Sequence, residues 1–213
     1  MMKNRKSPII LTTLVCLLPV AVGLILWTQL PDQIVSHFTA DGTVNGLASK
    51  SFMVFGMPVF FAIVHLICLL FVEADPRRTG VSSRLRGIIY WICPSVSLLV
   101  CLSCYAVSLG ADLNIGALAY GFVGILFIII GNYLSKCRRN YTVGIKLPWT
   151  LDNDENWDQT HRIGARCFIL GGIFFLCNMI IRKVWIIWLA FFIAAVIPIA
   201  CSYVMYRSEE QDK

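Results

Sequence analysis

The side chains of this chain best suited to chemistry gather between Asn140 and His161. Asn140, Lys146, Trp149, Trp157, Thr160 and His161 bring amide, amine, indole, hydroxyl and imidazole groups into one short stretch. Such a set can both donate to and accept from a polar ligand. Trp157, His161 and Gly164 fall at i, i+4 and i+7, so a helix there presents them on one face. Asp152, Asp154 and Asp158 lie nearby. With Lys146 and His161 they make an interfacial enzyme one reading, the least favoured of three. Against it, there is no His-Glu-x-x-His helix, no Gly-x-Ser-x-Gly elbow, no phosphate loop and no pair of intramembrane aspartates. His37, His65 and His161 are expected at different depths and share no metal. Cys101-Leu102-Ser103-Cys104 has the spacing of half a zinc or redox site, but no partner pair accompanies it and it reads as packing. The chain reads as a non-enzyme without cofactor or metal.

The elements that must position these residues are set by hydrophobicity. Of 213 residues, 58% are hydrophobic and 14% charged, and the mean hydropathy is +0.74. Soluble domains carry about 25% charged residues, so this composition excludes a water-soluble core and disorder alike. Six apolar runs, 8–28, 52–72, 87–109, 115–134, 165–181 and 184–206, are each long enough to cross a bilayer as a helix. Helix is required because lipid offers the backbone no hydrogen bonds. The fold class is therefore an all-α integral membrane protein, a six-transmembrane helix bundle. It divides into an N-terminal helix pair with its outer loop (8–72), a second pair (87–134), and a loop with the last two helices (135–206). The first run follows a basic start, Lys3, Arg5 and Lys6, and lacks a cleavage site, so it reads as an uncleaved helix.

Orientation follows from Lys and Arg. With the N-terminus in the cytoplasm, only Lys50, Arg182 and Lys183 of the 18 Lys and Arg residues fall in outer loops, and six spans return the C-terminus to the cytoplasm. The net charge of +6 is then a topology signal and a contact to anionic lipid headgroups, with no direct nucleic-acid partner. Pro19, Pro58, Pro94 and Pro198 fall within spans and predict bends, or hinges of a transporter. Gly121, Gly124 and Gly131, with Ala117, predict close backbone packing of the fourth helix. His65 is the one ionisable side chain well inside a span, either a functional group or a neutral histidine bonded to a neighbouring helix.

Two loops exceed mere connectors. The outer loop (30–51) contains Pro31, Asp32, His37, Phe38, Gly42 and Lys50, with Asp41-Gly42 and Asn45-Gly46 as turn formers. A short hairpin is expected between Ile34 and Val44. Phe38 either packs on the bundle as part of a cap or forms an outer docking surface. The inner loop (135–164) begins with Lys136, Arg138 and Arg139. Tyr141, Val143, Ile145 and Leu147 then alternate with Thr142, Gly144, Lys146 and Pro148, a period of two that predicts an extended segment. Asn153 or Thr150 is expected to cap a short helix with Asp154 and Glu155 in its first turn. Trp149 and Trp157 are expected at the membrane interface. The inner segment is either a strap holding the bundle's mouth or a binding site.

Gly131 to Leu134 (GNYL), Asn140 to Leu151 (NYTVGIKLPWTL) and Trp157 to Arg162 (WDQTHR) resemble the SdpI family of bacterial membrane proteins. The outer LPDQIVSHFTADGTVNGLASK resembles the N-terminal domain of unknown function that often precedes the SdpI segment. Ser135 departs from the proline expected after GNYL. The resemblance implies a multi-pass protein of the bacterial plasma membrane that protects against a secreted, membrane-active toxic peptide. It also implies signalling to a cytoplasmic transcriptional repressor. The motif positions it carries over are Asn132, Tyr133, Asn140, Tyr141, Gly144, Ile145, Lys146, Pro148, Trp149, Thr150, Trp157, Thr160 and His161. The alternative is a small transporter or lipid-handling permease built on the broken helices and His65. Partners are membrane lipids, the toxic peptide and a repressor protein; the sequence assigns no oligomeric state.

Overall fold

Helices long and apolar enough to cross a membrane occur six times in a computed structural model, which describes residues 6–39 and 42–211. Lys3, Arg5, Asp41 and Lys213 lie outside the described residues. In chain order the elements are α1 (Lys6–Ile25), β1 (Gln33–Phe38), β2 (Val44–Ser49), α2 (Met57–Ala74), α3 (Ser83–Ser108), α4 (Ile115–Leu134), α5 (Pro148–Asp152), α6 (Asp154–Ile181), α7 (Val184–Phe191) and α8 (Ile197–Gln211). The last two are joined by a π-turn, Phe192–Val196, and form the sixth span together. Two compact units divide the chain, one from 1–73 and 86–115, the other from 74–85 and 116–213.

In the first unit the expected hairpin forms. β1 and β2 pair antiparallel, with Ile34 opposite Ala48 and Phe38 opposite Val44. Ile34 is fully buried and joins Leu30, Met53, Val54, Cys101, Cys104 and Tyr105 in one core, against which Phe38 packs. Phe38 is thus part of a cap. The Val35 N–H donates to Ser108 Oγ at 3.0 Å, which ties the hairpin to the end of α3. Lys50 sits 3.3 Å from Asp32 and 5.2 Å over the Trp27 ring, closing the hairpin's base.

Two of the four prolines act through a neighbouring π-turn. A π-turn spans Phe52–Gly56, just before Pro58, and the second spans Phe192–Val196, just before Pro198. In the first, the Met57 N–H reaches Phe52 O, five residues back. The next carbonyl, Met53, then faces Pro58, which has no N–H to give. The Tyr105 hydroxyl donates to that carbonyl at 3.0 Å. Tyr105→Phe is expected to lower stability by about 1–2 kcal/mol, the cost of an unsatisfied buried acceptor, measured as a fall in the thermal midpoint in detergent. Pro19 and Pro94 sit inside uninterrupted helices.

His65 is buried and bonded to a neighbouring helix. Its Nε2 lies 2.9 Å from Thr12 Oγ1 on α1, and that hydroxyl donates its own proton to Pro8 O at 2.8 Å. His65 Nδ1 has no hydrogen-bond partner.

In the second unit α4 and α6 meet backbone to backbone. A Cβ on Gly124 would stand 2.8 Å from Gly172 O, one on Gly172 2.6 Å from Gly124 O, and one on Gly131 2.8 Å from Ala165 O. Glycine on the facing helix lets two backbones approach this closely. Phe127 packs against Phe168, Phe175 and Phe191 beside that seam. The short helix expected after Asn153 and the fifth span expected from 165 are one continuous helix, α6. Nothing between 154 and 165 breaks it, because Gly164 is packed under Ile145 and Leu134.

Candidate functional site

The segment from Cys137 to Thr160 folds into a knot whose centre is Asn140. Its side chain is fully buried and uses nearly all of its hydrogen-bonding capacity. Nδ2 donates to Arg138 O at 2.9 Å and Val143 O at 3.0 Å. Oδ1 accepts from the Thr142 N–H at 3.0 Å and the Val143 N–H at 2.7 Å. A side-chain amide bonded this way bends the backbone into a turn. This corrects the first half of the extended segment expected over 141–147: residues 141–144 are bends, while Leu147 is extended. The alternation is present in the sequence, but Asn140 and Gly144 impose a tight bend on it, and Pro148 opens the short helix α5 at a position that suits proline.

Gly144 adopts φ +122, a conformation that side-chain-bearing residues rarely reach. A Cβ there would stand 2.3 Å from His161 Nε2. The next N–H, Ile145, donates to that Nε2 at 3.0 Å. His161 Nδ1 lies 2.8 Å from Trp157 O, and a carbonyl can only accept. The imidazole is therefore neutral, with its proton on Nδ1 and its lone pair on Nε2. Its ring stacks on Trp157 at 4.0 Å between centroids. Trp157 is fully buried and donates from Nε1 to Cys137 O at 2.8 Å. The indole N–H thus finds its acceptor inside the protein.

Thr150 closes the bend. Its hydroxyl donates to Ile145 O at 3.0 Å and accepts from the Leu147 N–H at 2.9 Å. Trp149 leans outward, stacking on Tyr206 at 5.6 Å and donating to Ser202 Oγ at 2.8 Å. Ser202 Oγ donates to Asn156 Oδ1 at 2.9 Å, which Thr160 Oγ1 also reaches at 3.2 Å. Asn153 caps α6, accepting from the Glu155 N–H at 2.7 Å, and its amide donates to Glu209 at 2.7 Å. Thr150 is not the cap of α6.

Asp75, in the loop after α2, is the partner the sequence reading missed. Its carboxylate is 4% exposed. Oδ2 accepts from the Tyr141 N–H at 2.9 Å and Thr142 Oγ1 at 2.8 Å, and Oδ1 accepts from the Arg77 N–H at 2.7 Å. Burial by itself would raise its pKa, but these donors outweigh burial and hold the carboxyl below its ordinary value. Beside it, the Arg138 N–H donates to Gly80 O at 3.0 Å, and Arg77 lies over the Tyr141 ring. Cys137 is buried, and burial pushes its thiol up to about 11 despite a donor from Asn140. Asn156 and Ser202 were also missed. None of these carries a sequence signal, because each acts through a neighbour far along the chain.

The site residues do not all converge. Asn140, Gly144, Thr150, Trp157, Thr160 and His161 form the buried knot. Lys146 is exposed and folds back onto Tyr141 O and Thr142 O, at 3.2 and 3.0 Å. Tyr141 and Pro148 are also exposed. The acids do not gather around Lys146: Asp154 pairs with Arg139 at 2.7 Å, and Asp152 and Asp158 are exposed. Asn132 and Tyr133 belong to the end of α4, where Lys136 lies over the Tyr133 ring. Among the described residues no group of three His, Cys, Asp or Glu side chains is placed to hold a metal ion.

Residues 136–202 match the SdpI/YfhL protein family, and residues 14–62 match a domain of unknown function, DUF1648. The knot lies within the segment that matches the SdpI/YfhL family. That segment runs from Lys136, at the entry to the knot, to Ser202, the hydroxyl that holds Trp149 and Asn156, and hydrogen bonds to Asp75, Gly80 and Glu209 tie it to the rest of its unit. The DUF1648 segment covers most of α1, the hairpin and the start of α2. The chain is 26% identical over 172 residues to the immunity protein SdpI of Bacillus subtilis (strain 168), covering 78% of each chain. No solved structure matches. The chain is a multi-pass bacterial membrane protein that carries an SdpI-like segment.

Proposed function

We propose that this chain protects its membrane against a secreted, membrane-active toxic peptide and reports the encounter to a cytoplasmic repressor protein. The observation that carries this reading is the similarity to an immunity protein across 78% of both chains. The Lys and Arg distribution favours a cytoplasmic N-terminus, C-terminus and knot, with the hairpin outside. The hairpin suits peptide capture. It has only two strands, so each has an edge that β1–β2 pairing leaves open, and Leu47 on β2 is 61% exposed. A two-stranded sheet can extend by pairing with an added strand.

The knot divides into two roles. Its buried members set the shape of the segment, and its exposed members, Tyr141, Lys146 and Pro148, present a surface to the repressor. Occupancy of the hairpin shifts that surface only if the peptide binds two states of the helices with different affinity.

Expression of the chain in peptide-sensitive cells tests the reading. Survival in the presence of a secreted, membrane-active toxic peptide is expected to rise by about tenfold, and direct titration separately seeks the change in toxin affinity that about 1.4 kcal/mol of binding would bring. Leu47→Lys is expected to remove the protection while the protein still accumulates in the membrane. No protection by the intact chain, at normal membrane levels, would end the immunity reading.

A further inference from the structure

A cationic groove of about 310 Å³ opens between the end of α4 and the start of the apolar part of α6. It is lined by Asn132, Ser135, Lys136, Arg162, Arg166 and Ile169. No carboxylate is among the lining residues. Elsewhere in this unit Arg139 pairs with Asp154 and Arg207 with Glu210, while in the groove Lys136 lies over the Tyr133 ring. Among the described residues neither Arg162 nor Arg166 is ion-paired to a carboxylate, including Asp158 one turn before Arg162.

The placement of these charges is specific. Arg162, Arg166 and Ile169 follow one another at i, i+4 and i+7 on α6, and Ile173, 46% exposed, continues the strip. On the other wall Lys136 and Asn132 lead down α4 to Ile129 and Ile125, both exposed. Gly131 and Ala165 line the groove between the walls. Each wall therefore changes from cationic or polar to aliphatic along its length, as a phospholipid does from phosphate to acyl chain. Two guanidinium forks suit the oxygens of a phosphate, and the lysine adds a point charge.

We propose that this groove seats the phosphate headgroup of an anionic phospholipid, with its acyl chains along Ile125, Ile129 and Ile173. The site is separate from the knot and independent of the immunity reading. The full chain, purified in neutral detergent, is titrated with phosphatidylglycerol and, separately, phosphatidylcholine, and retained lipid is counted by native mass spectrometry. One phosphatidylglycerol per chain is expected to be retained in preference to phosphatidylcholine. A cation near a lipid surface is worth about 1 kcal/mol, or about fivefold. Combining Lys136→Gln, Arg162→Gln and Arg166→Gln is therefore expected to weaken retention on the order of 100-fold. Combining Arg84→Gln, Arg138→Gln and Arg207→Gln removes the same charge elsewhere and is expected to leave retention nearly unchanged. Thermal midpoints of both variants establish that each is folded, and Arg162→Lys with Arg166→Lys is expected to recover most of the binding if the first variant is not.

Equal weakening by the two charge-matched variants would overturn the site in favour of general surface attraction. So would equal retention of phosphatidylcholine. Competition by millimolar glycerol phosphate as effective as the lipid would overturn the lipid assignment in favour of a soluble phosphate.

Discussion

Asp75→Ala will loosen the SdpI segment without altering any residue of it. The substitution strands two donors, the N–H groups of Tyr141 and Arg77, and leaves the Thr142 hydroxyl only its longer bond to Asn140 Oδ1 at 3.3 Å, at a residue that is 4% exposed. A buried donor left unpaired costs about 1–3 kcal/mol; with water reaching some of them, a total loss of about 3 kcal/mol is expected. Asp75→Asn is expected to cost nearly as much. Its amide nitrogen replaces one accepting oxygen and turns a donor toward other donors. Limited proteolysis between Arg138 and Lys146 reads the loosening directly, since those peptide bonds become accessible when the turn opens. An Asp75→Ala protein as resistant as the parent would show that Asn140 holds the turn unaided.

The same carboxylate makes the segment acid-sensitive. Its pKa is held below the ordinary carboxylate value, so the folded state favours the charged form. The stabilisation is complete above the ordinary value of about 3.9 and is lost as pH falls through the lower folded value. The stability difference between the parent and Asp75→Asn is therefore expected to be constant from neutral pH to about pH 5 and to shrink in stronger acid. Thermal midpoints measured across that range check the sign, and a difference that grew on acidification would contradict it.

Gly144→Ala is the second large effect. The new methyl would lie 2.3 Å from His161 Nε2, and the backbone at φ +122 is itself costly for any residue with a Cβ, at about 1–3 kcal/mol. Relief requires His161 to move, which breaks its bond with the Ile145 N–H and disturbs its stack on Trp157. The combined loss is expected to reach about 3–5 kcal/mol, enough to open this segment. His161→Ala leaves the glycine conformation unstrained and is expected to cost less than Gly144→Ala. Chymotryptic cleavage after Trp157, which is fully buried in the native protein, distinguishes the two. If both variants cleave alike, the cost lies in the lost imidazole and not in the backbone.

Much of this protein is legible in the order of its residues. The sequence bounds of the fourth span, 115–134, match Ile115–Leu134, and Gly42 lies in the hairpin's turn, whereas Asn45-Gly46, the other expected turn former, lies inside β2. The glycines of α4 mark the close seam with α6. These features are local or one-dimensional. A run of apolar residues in lipid has no choice but to form a helix, since the hydrocarbon leaves the backbone only its own groups to bond with.

The tertiary structure decided what the polar residues do. Alternation from Tyr141 to Leu147 reads as a strand, yet Asn140 satisfies that backbone with its own side chain and turns it back. Trp157 reads only as an amphipathic side chain, and the fold gives its indole a particular acceptor, the Cys137 carbonyl. Asp75 has no motif at all, and its importance depends on Tyr141 and Thr142, which lie far along the chain. Apolar burial needs only a type of residue at a position, whereas a hydrogen bond needs a particular partner at a particular distance and angle. The first requirement is written along the sequence, and the second exists only once the chain has folded.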